Sequence, residues 1–249
     1  MLQPFAHLTQ ADLPLSDGVA VIPLASVETH GPHLPLATDG LIVEGILARA
    51  GEQCAARAVC VPTLWLGASA EHADHAGTVS CEPEQMIAAI VNLGEGLSRA
   101  GLTRVVLFNG HGGNIALASI AALKLRTHFG TLAATAHWLD FGLPAGFSQP
   151  APLLRDVHGG WVETSVLLHL APHLVRKDAA KANEALAPTP SLFPSGPIAW
   201  GWKSGDLAEG GWIGRPDLAT AEIGKALVDH AAASLAKLLD EIAAARWAG

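Results

Sequence analysis

Two short apolar runs, Val19–Leu24 and Val105–Phe108, each lead into a glycine-bearing turn and then a helix-forming stretch. This pattern constrains the fold more than any other feature of the chain. A run with no polar alternation suits a strand covered on both faces. A repeated strand–turn–helix order joins such strands by crossovers, which makes them parallel. The helices expected are Leu41–Arg57, Glu82–Ala100, a stretch from the glycine turn to Phe129, Val162–Leu170 and Thr220–Ala245. Further strands are expected at Ala58–Trp65 and Leu132–His137. Glu82 and Pro83 suit a helix start, and Gly101 suits its end. The class is therefore α/β with a mainly parallel sheet, which carries its ligands at the carboxyl ends of its strands. Phe141–Asp156 and Ala187–Pro216 read as loops. The second is long enough to expect a function or an oligomer contact for it. Neither resembles an interdomain linker, so residues 1–249 are read as one domain.

The net charge of −8 argues against nucleic acid as a partner. No apolar stretch is long enough to cross a membrane. The N-terminus lacks a basic segment followed by an apolar run, so no secretory leader is expected. Cys54, Cys60 and Cys81 are odd in number and lack CxxC spacing, which fits a reducing cytoplasm.

Histidine is abundant, at 12 residues, and three segments concentrate it beside acids and glycines. The first is Glu28-Thr29-His30-Gly31-Pro32-His33-Leu34-Pro35-Leu36-Ala37-Thr38-Asp39, where glycine and prolines dictate a loop. The second is Asn109-Gly110-His111-Gly112-Gly113-Asn114, whose glycines allow close backbone approach. The third is His158-Gly159-Gly160-Trp161-Val162-Glu163-Thr164-Ser165. Carboxylates and imidazoles are ligands that zinc, manganese and iron(II) accept. If the segments meet, they hold too many ligands for one tetrahedral zinc. They suit two metals sharing a carboxylate, about 3.5–4 Å apart, with an activated bridging water.

The motifs Glu-x-His-Gly-Pro-His-Leu-Pro…Asp, Asn-Gly-His-Gly-Gly-Asn and His-x-Gly-x-x-Glu-Thr-Ser resemble those of the creatininase (creatinine amidohydrolase) family, from about Val19 to Leu239. The resemblance implies a single-domain, Rossmann-like α/β/α sandwich. It implies a homohexamer holding two divalent ions per chain (Zn2+, Mn2+ or Fe2+), and hydrolysis of a C–N amide bond in a small molecule or short peptide. Carried over by motif, Glu28, His30, Asp39 and His111 match metal ligands, with Asp39 as the bridge. Creatininase proper has a glutamate ligand where this chain has Gly113, and Glu163 is expected to complete the site instead. His158 matches the proton carrier, and Glu163 is also a candidate catalytic acid or base. Glu71, His72, Trp138, Gly112 and Gly113 are expected on the substrate side. One tryptophan that closes over creatinine in creatininase proper falls where this chain has Leu154, which argues against strict creatinine specificity. The segment at 202–207 looks more like the deformylase and peptidase branches. His33 is read as support for its loop, and His75 as structural.

Three rival readings are weaker. Neither Ser26 nor Ser165 lies in a GxSxG turn, which argues against a serine hydrolase. The glycine turn lacks the lysine of a phosphate-binding loop. A non-catalytic metal- or small-ligand-binding protein keeping the fold is opposed by the complete ligand set.

Overall fold

The computed structural model describes residues 2–184, 189, 192–194 and 198–247. Parts of the expected Ala187–Pro216 loop, Ala187 included, therefore lie outside the described residues.

The strands are β1 (Leu2–Pro4), β2 (Val19–Leu24), β3 (Ala58–Cys60), β4 (Arg104–Asn109) and β5 (Leu132–His137), in the spatial order β1-β3-β2-β4-β5. Every pairing is parallel. The helices are α1 (Thr38–Gly51), α2 (Pro83–Arg99), α3 (Ile115–Phe129), α4 (Trp161–Leu170), α5 (Ser204–Leu207) and α6 (Ala221–Ala244). Side chains of β2 and β4 alternate between two apolar clusters, as the period of a strand requires. Val19, Val21, Val106 and Phe108 pack in the cluster that holds residues of α1, α4 and α6. Ala20, Ile22, Leu24, Val105 and Leu107 pack in the cluster that holds residues of α2 and α3. Coverage on both faces is why the two runs are apolar throughout.

Several boundaries moved for identifiable reasons. Helix α1 ends at Gly51 rather than Arg57. The N–H groups of Ala55 and Ala56 donate to Asp240 Oδ1, at 3.0 and 2.8 Å, instead of continuing the helix. The strand expected over Ala58–Trp65 is regular only to Cys60, because Pro62 has no N–H to donate to a ladder. The chain still follows β2, with Val61 N–H on Val21 O and Leu64 N–H on Pro23 O. Edge strand β1 and the short α5, the latter inside the expected loop, were not anticipated. Helix α3 stops at Gly130, a left-handed cap with φ of 69°. Among the described residues no helix is long and apolar enough to cross a membrane.

The connection from β2 leads through α1 to β3 on one side, and that from β4 leads through α3 to β5 on the other. The carboxyl ends of β2 and β4 thus flank a topological switch point, where open parallel sheets form their crevice. The first two histidine-bearing turns leave from these two strand ends.

Candidate metal centre

Each turn is held by its own polar residues. Asn109 closes the second turn across His111: its Nδ2 donates to His111 O at 2.7 Å, and His111 N–H donates to its Oδ1 at 3.1 Å. Asn114 ties that turn to its neighbours, accepting from Ala68 N–H and donating to Ala25 O. Asp39 lies in the first turn of α1 and Glu163 in that of α4. The N-terminus of α4 is capped by Asp156, whose carboxylate accepts from Trp161 and Val162 N–H at 2.8 and 2.9 Å. Burial pushes the Asp156 carboxyl up to about 6, against the effect of these donors.

The three segments converge. Asp39 Oδ1 is 3.1 Å from His30 Nε2, and its Oδ2 is 3.3 Å from His111 Nδ1. Glu28 Oε1 is 3.2 Å from His111 Nδ1, 3.8 Å from both His72 Nε2 and His158 Nδ1, and 3.9 Å from His30 Nε2. Glu163 Oε2 reaches to 4.0 Å from His30 Nε2 and accepts from Gly159 N–H at 2.6 Å. Among the described residues, three groups have ligand atoms close enough together to hold an ion: Glu28 with Asp39 and His111; His30 with His158 and Glu163; and Glu28 with His72 and His158.

Backbone carbonyls orient the imidazoles. A carbonyl only accepts, so the ring nitrogen facing it carries the proton. His30 Nδ1 donates to Glu28 O at 3.2 Å, His111 Nε2 to Ala68 O at 3.0 Å, and His158 Nε2 to Thr29 O at 2.6 Å. In each ring the other nitrogen is turned into the cluster, the arrangement by which a ligating histidine is fixed. Both Glu28 oxygens and Asp39 Oδ2 are buried without a hydrogen-bond partner. Buried carboxylate oxygens left unpaired are costly, and coordination of a cation is one way to satisfy them. The donor set is hard to borderline, with no thiol, and fits a divalent ion.

The electrostatics agree. Burial opposes charge on His30 and His111, yet nearby carboxylates, Asp39 for the first and Glu28 for the second, raise both. His30 reaches about 9. Although burial works to raise Glu28, the surrounding imidazoles hold it well below the usual carboxylate range. Carboxylates that stabilise positive charge on imidazole equally favour a metal cation between them. Burial lowers His158 well below the ordinary histidine value and His72 to about 4, so both rings are neutral. Burial raises Glu163 to about 7.

The substrate-side expectations divide. His72 is buried, with its ring stacked on His158 at 3.9 Å between centroids, and so lies inside the cluster. Glu71 Oε1 is 3.5 Å from His111 Nε2, and burial raises its carboxyl. A Cβ on Gly112 would meet nothing within 4 Å, so the second turn faces open space there. A Cβ on Gly113 would collide with Ala68 O, so a larger residue here would have to displace the backbone around it. Trp138 is buried in the apolar cluster over α1, α4 and α6. Leu154 is 64% exposed. His33 donates to Gly159 O at 2.9 Å, which gives its supporting role a partner. Sequence reasoning missed Asp156, which looks like any loop aspartate, although Gly159-Gly160 before a helix is a signal that something must cap it.

A family model described as "Creatininase: Creatinine amidohydrolase" matches residues 7–239. The chain belongs to the creatininase family. It is a hydrolase of that family, and is 34% identical over 248 residues to the mycofactocin precursor peptide peptidase of Mycobacterium tuberculosis, covering 94% of this chain and 90% of that one. It is 28% identical over 205 residues to the creatinine amidohydrolase of Pseudomonas putida, covering 76% and 78%. The solved structure described as "Creatininase Mn" shares the fold with a TM-score of 0.81 at 22% identity, covering 97% of this chain and 98% of that one.

Proposed function

We propose that this creatininase-family chain is a dinuclear metal-dependent amidohydrolase acting on the C–N bond of a small-molecule amide or a short peptide. The observation that carries the reading is the pair of buried carboxylates, Glu28 and Asp39, whose unpaired oxygens face imidazole nitrogens turned inward by backbone carbonyls. Glu28, Asp39 and His111 would hold one ion, and His30, Asp39 and Glu163 the other. Asp39 would serve both, because one of its oxygens faces His30 and the other His111. Zn2+, Mn2+ and Fe2+ all suit these donors. Solved creatininase structures are described as Mn and as "Zn-Zn type", which supports the choice.

When bound, the ions supply an acidified water and polarise a carbonyl. The chain's own groups do the rest. His158 presents a bare Nδ1 to the cluster while its Nε2 proton is committed to Thr29 O, so Nδ1 first accepts a proton and then delivers it to the leaving nitrogen. Glu163 keeps its Oε2 on Gly159 N–H, which orients the carboxylate toward His30. The open side at Gly112 receives the substrate carbonyl, where the Gly112 and Gly113 N–H groups stabilise developing oxyanion charge, since Asn114 N–H is bonded to His111 O. Glu71, beside His111 and Gly113, borders that space. The mycobacterial likeness supports a peptide over creatinine. The family resemblance extends the proposal to a homohexamer, and the number and spacing of the cysteines extend it to a cytoplasmic protein.

The test is a panel of creatinine, formamides, lactams and short peptides, assayed with Zn2+, Mn2+ and Fe2+, beside Asp39→Ala. Chelation should abolish turnover, and Asp39→Ala should lose both ions. Turnover by metal-free protein, or two ions retained by Asp39→Ala, would overturn the reading.

A further inference from the structure

Three glycines crowd Trp212. A Cβ on Gly31 would meet the indole at 3.0 Å and one on Gly210 would meet it closer still, while one on Gly159 would meet Trp212 Cβ and His30 O, each at 3.0 Å. Gly31 and Gly159 have φ of 76° and 62°, so their backbones are bent as well as crowded. Gly31 follows His30, and Gly159 follows His158. Trp212 therefore sits between the turn that carries Glu28 and His30, which its indole covers, and the turn that leads into Glu163, which its Cβ touches.

The wedge is anchored. Trp212 Nε1 donates to Lys181 O at 2.8 Å. The next residue, Ile213, pairs its backbone with His158 in both directions, at 2.7 and 3.1 Å. Across the joint, the His33 ring stands edge-on to the Trp212 ring at 6.2 Å between centroids. His33 Nε2 bonds Gly159 O at 2.9 Å and lies 3.1 Å from Thr164 Oγ1. Gly159 is thus held through its oxygen by His33 and holds Glu163 through its N–H.

We propose that Trp212 and His33 are positioning residues that set the separation of the two turns, and so place Glu163 and His158 against Glu28 and His30. The proposal deepens the metal-centre reading and rests on Glu163 being a ligand. Neither side chain is placed among the ligands. They act by fixing the Gly31 and Gly159 backbones.

The experiment loads the full-length chain with Zn2+ and measures the ions held per chain and their rate of loss to a chelator. It compares wild type with His33→Leu, His33→Gln, Trp212→Ala and Trp212→Phe. Leu125→Ala, in the opposite apolar cluster, serves as a destabilised control, and thermal unfolding is recorded for all. His33→Leu and Trp212→Ala should lose Zn2+ about 10-fold to 100-fold faster, the usual effect of removing a group that orients ligands. His33→Gln keeps a donor for Gly159 O and Trp212→Phe keeps a ring in the wedge, so both should recover most of the retention. Leu125→Ala should unfold earlier but hold Zn2+ as wild type does. The proposal is overturned if His33→Leu and Trp212→Ala retain Zn2+ like wild type, or lose it no faster than an equally destabilised Leu125→Ala. Wild-type protein that binds no Zn2+, Mn2+ or Fe2+ is a separate outcome, read before any variant, and removes the metal reading together with this one.

Discussion

The most exacting consequence of the geometry is at Gly113. An alanine there would place its Cβ 2.6 Å from His111 Nε2 and 2.7 Å from Glu71 Oε1, and nearer still to Ala68 O. Ordinary contacts begin near 3.4 Å, so the surroundings must open by about 1 Å. Ala68 cannot retreat freely, because its N–H is bonded to Asn114 Oδ1 at 3.0 Å. Relieving the contact with Ala68 O must part the residue 113 backbone from Ala68, and the His111 ring has to shift with it, which breaks its bond to Ala68 O and withdraws Nδ1 from Glu28 and Asp39. Overpacking of this kind costs about 1–3 kcal/mol, and the lost hydrogen bond about 1 kcal/mol more. For a domain of this length a cost of about 2–4 kcal/mol lowers Tm by about 4–16 °C. Affinity for Zn2+ should fall about 10-fold to 100-fold, because the ligand is no longer held in place. Calorimetry and a Zn2+ competition titration on Gly113→Ala measure both quantities. A variant with wild-type Tm and Zn2+ affinity would show that the turn yields without moving His111, and the argument would be wrong.

Other expectations follow from the same coordinates. Asp156→Ala removes the acceptor for two N–H groups at the start of α4 and should cost about 1–2 kcal/mol in urea unfolding; no loss would mean that solvent caps the helix equally well. Burial holds His33 at about 4, below its ordinary 6.5. The unfolded chain therefore binds more protons between these values, and stability falls as pH drops through that window, by up to about 3 kcal/mol from this residue. His33→Gln should lose less stability than wild type between pH 7 and pH 4, and an identical pH dependence would refute the assignment. Cys60 is raised to about 12, by burial first and then Glu44, so at pH 8 its alkylation by iodoacetamide should be about 1,000-fold slower than that of glutathione. Asp74 and Lys203 form an ion pair in which both side chains are more than half exposed. Asp74→Asn should therefore leave unfolding within about 1 kcal/mol of wild type.

Much of the fold was legible because the strands that matter most are covered on both faces. Val19–Leu24 and Leu132–His137 have the bounds their sequences suggest. Edge strand β1 was not legible: three residues ending in proline carry no periodicity, and only pairing with β3 makes them a strand. The end of α1 depended on Asp240, distant in sequence, whose carboxylate competes for N–H groups that local propensity assigns to the helix. At the site, the turns after β2 and β4 announced Glu28, His30 and His111, because acids, histidines and glycines cluster there. The depth of His72 was hidden, since its position depends on a turn from a different loop packing over His158. Trp212 was hidden for the same reason. Its meaning lies in which glycines it touches, and a lone tryptophan in a glycine-rich stretch does not say so.

The register of β2 against β4, with Leu24 opposite Asn109 and Asn109 opposite His137, has a consequence for how the protein is made. Glu28 and Asp39 are separated from His111 by two crossovers, and Glu163 arrives only after a further strand and loop. Closing such long loops precedes any contact that rewards it. The proposed set Glu28, Asp39 and His111 is complete once β4 and its turn are in place, whereas the set with Glu163 also needs the start of α4. Capture of the second ion during refolding should therefore come last, in step with docking of α4. The late phase of Zn2+ uptake in a stopped-flow trace then serves as a clock for the finished molecule rather than for any part of it.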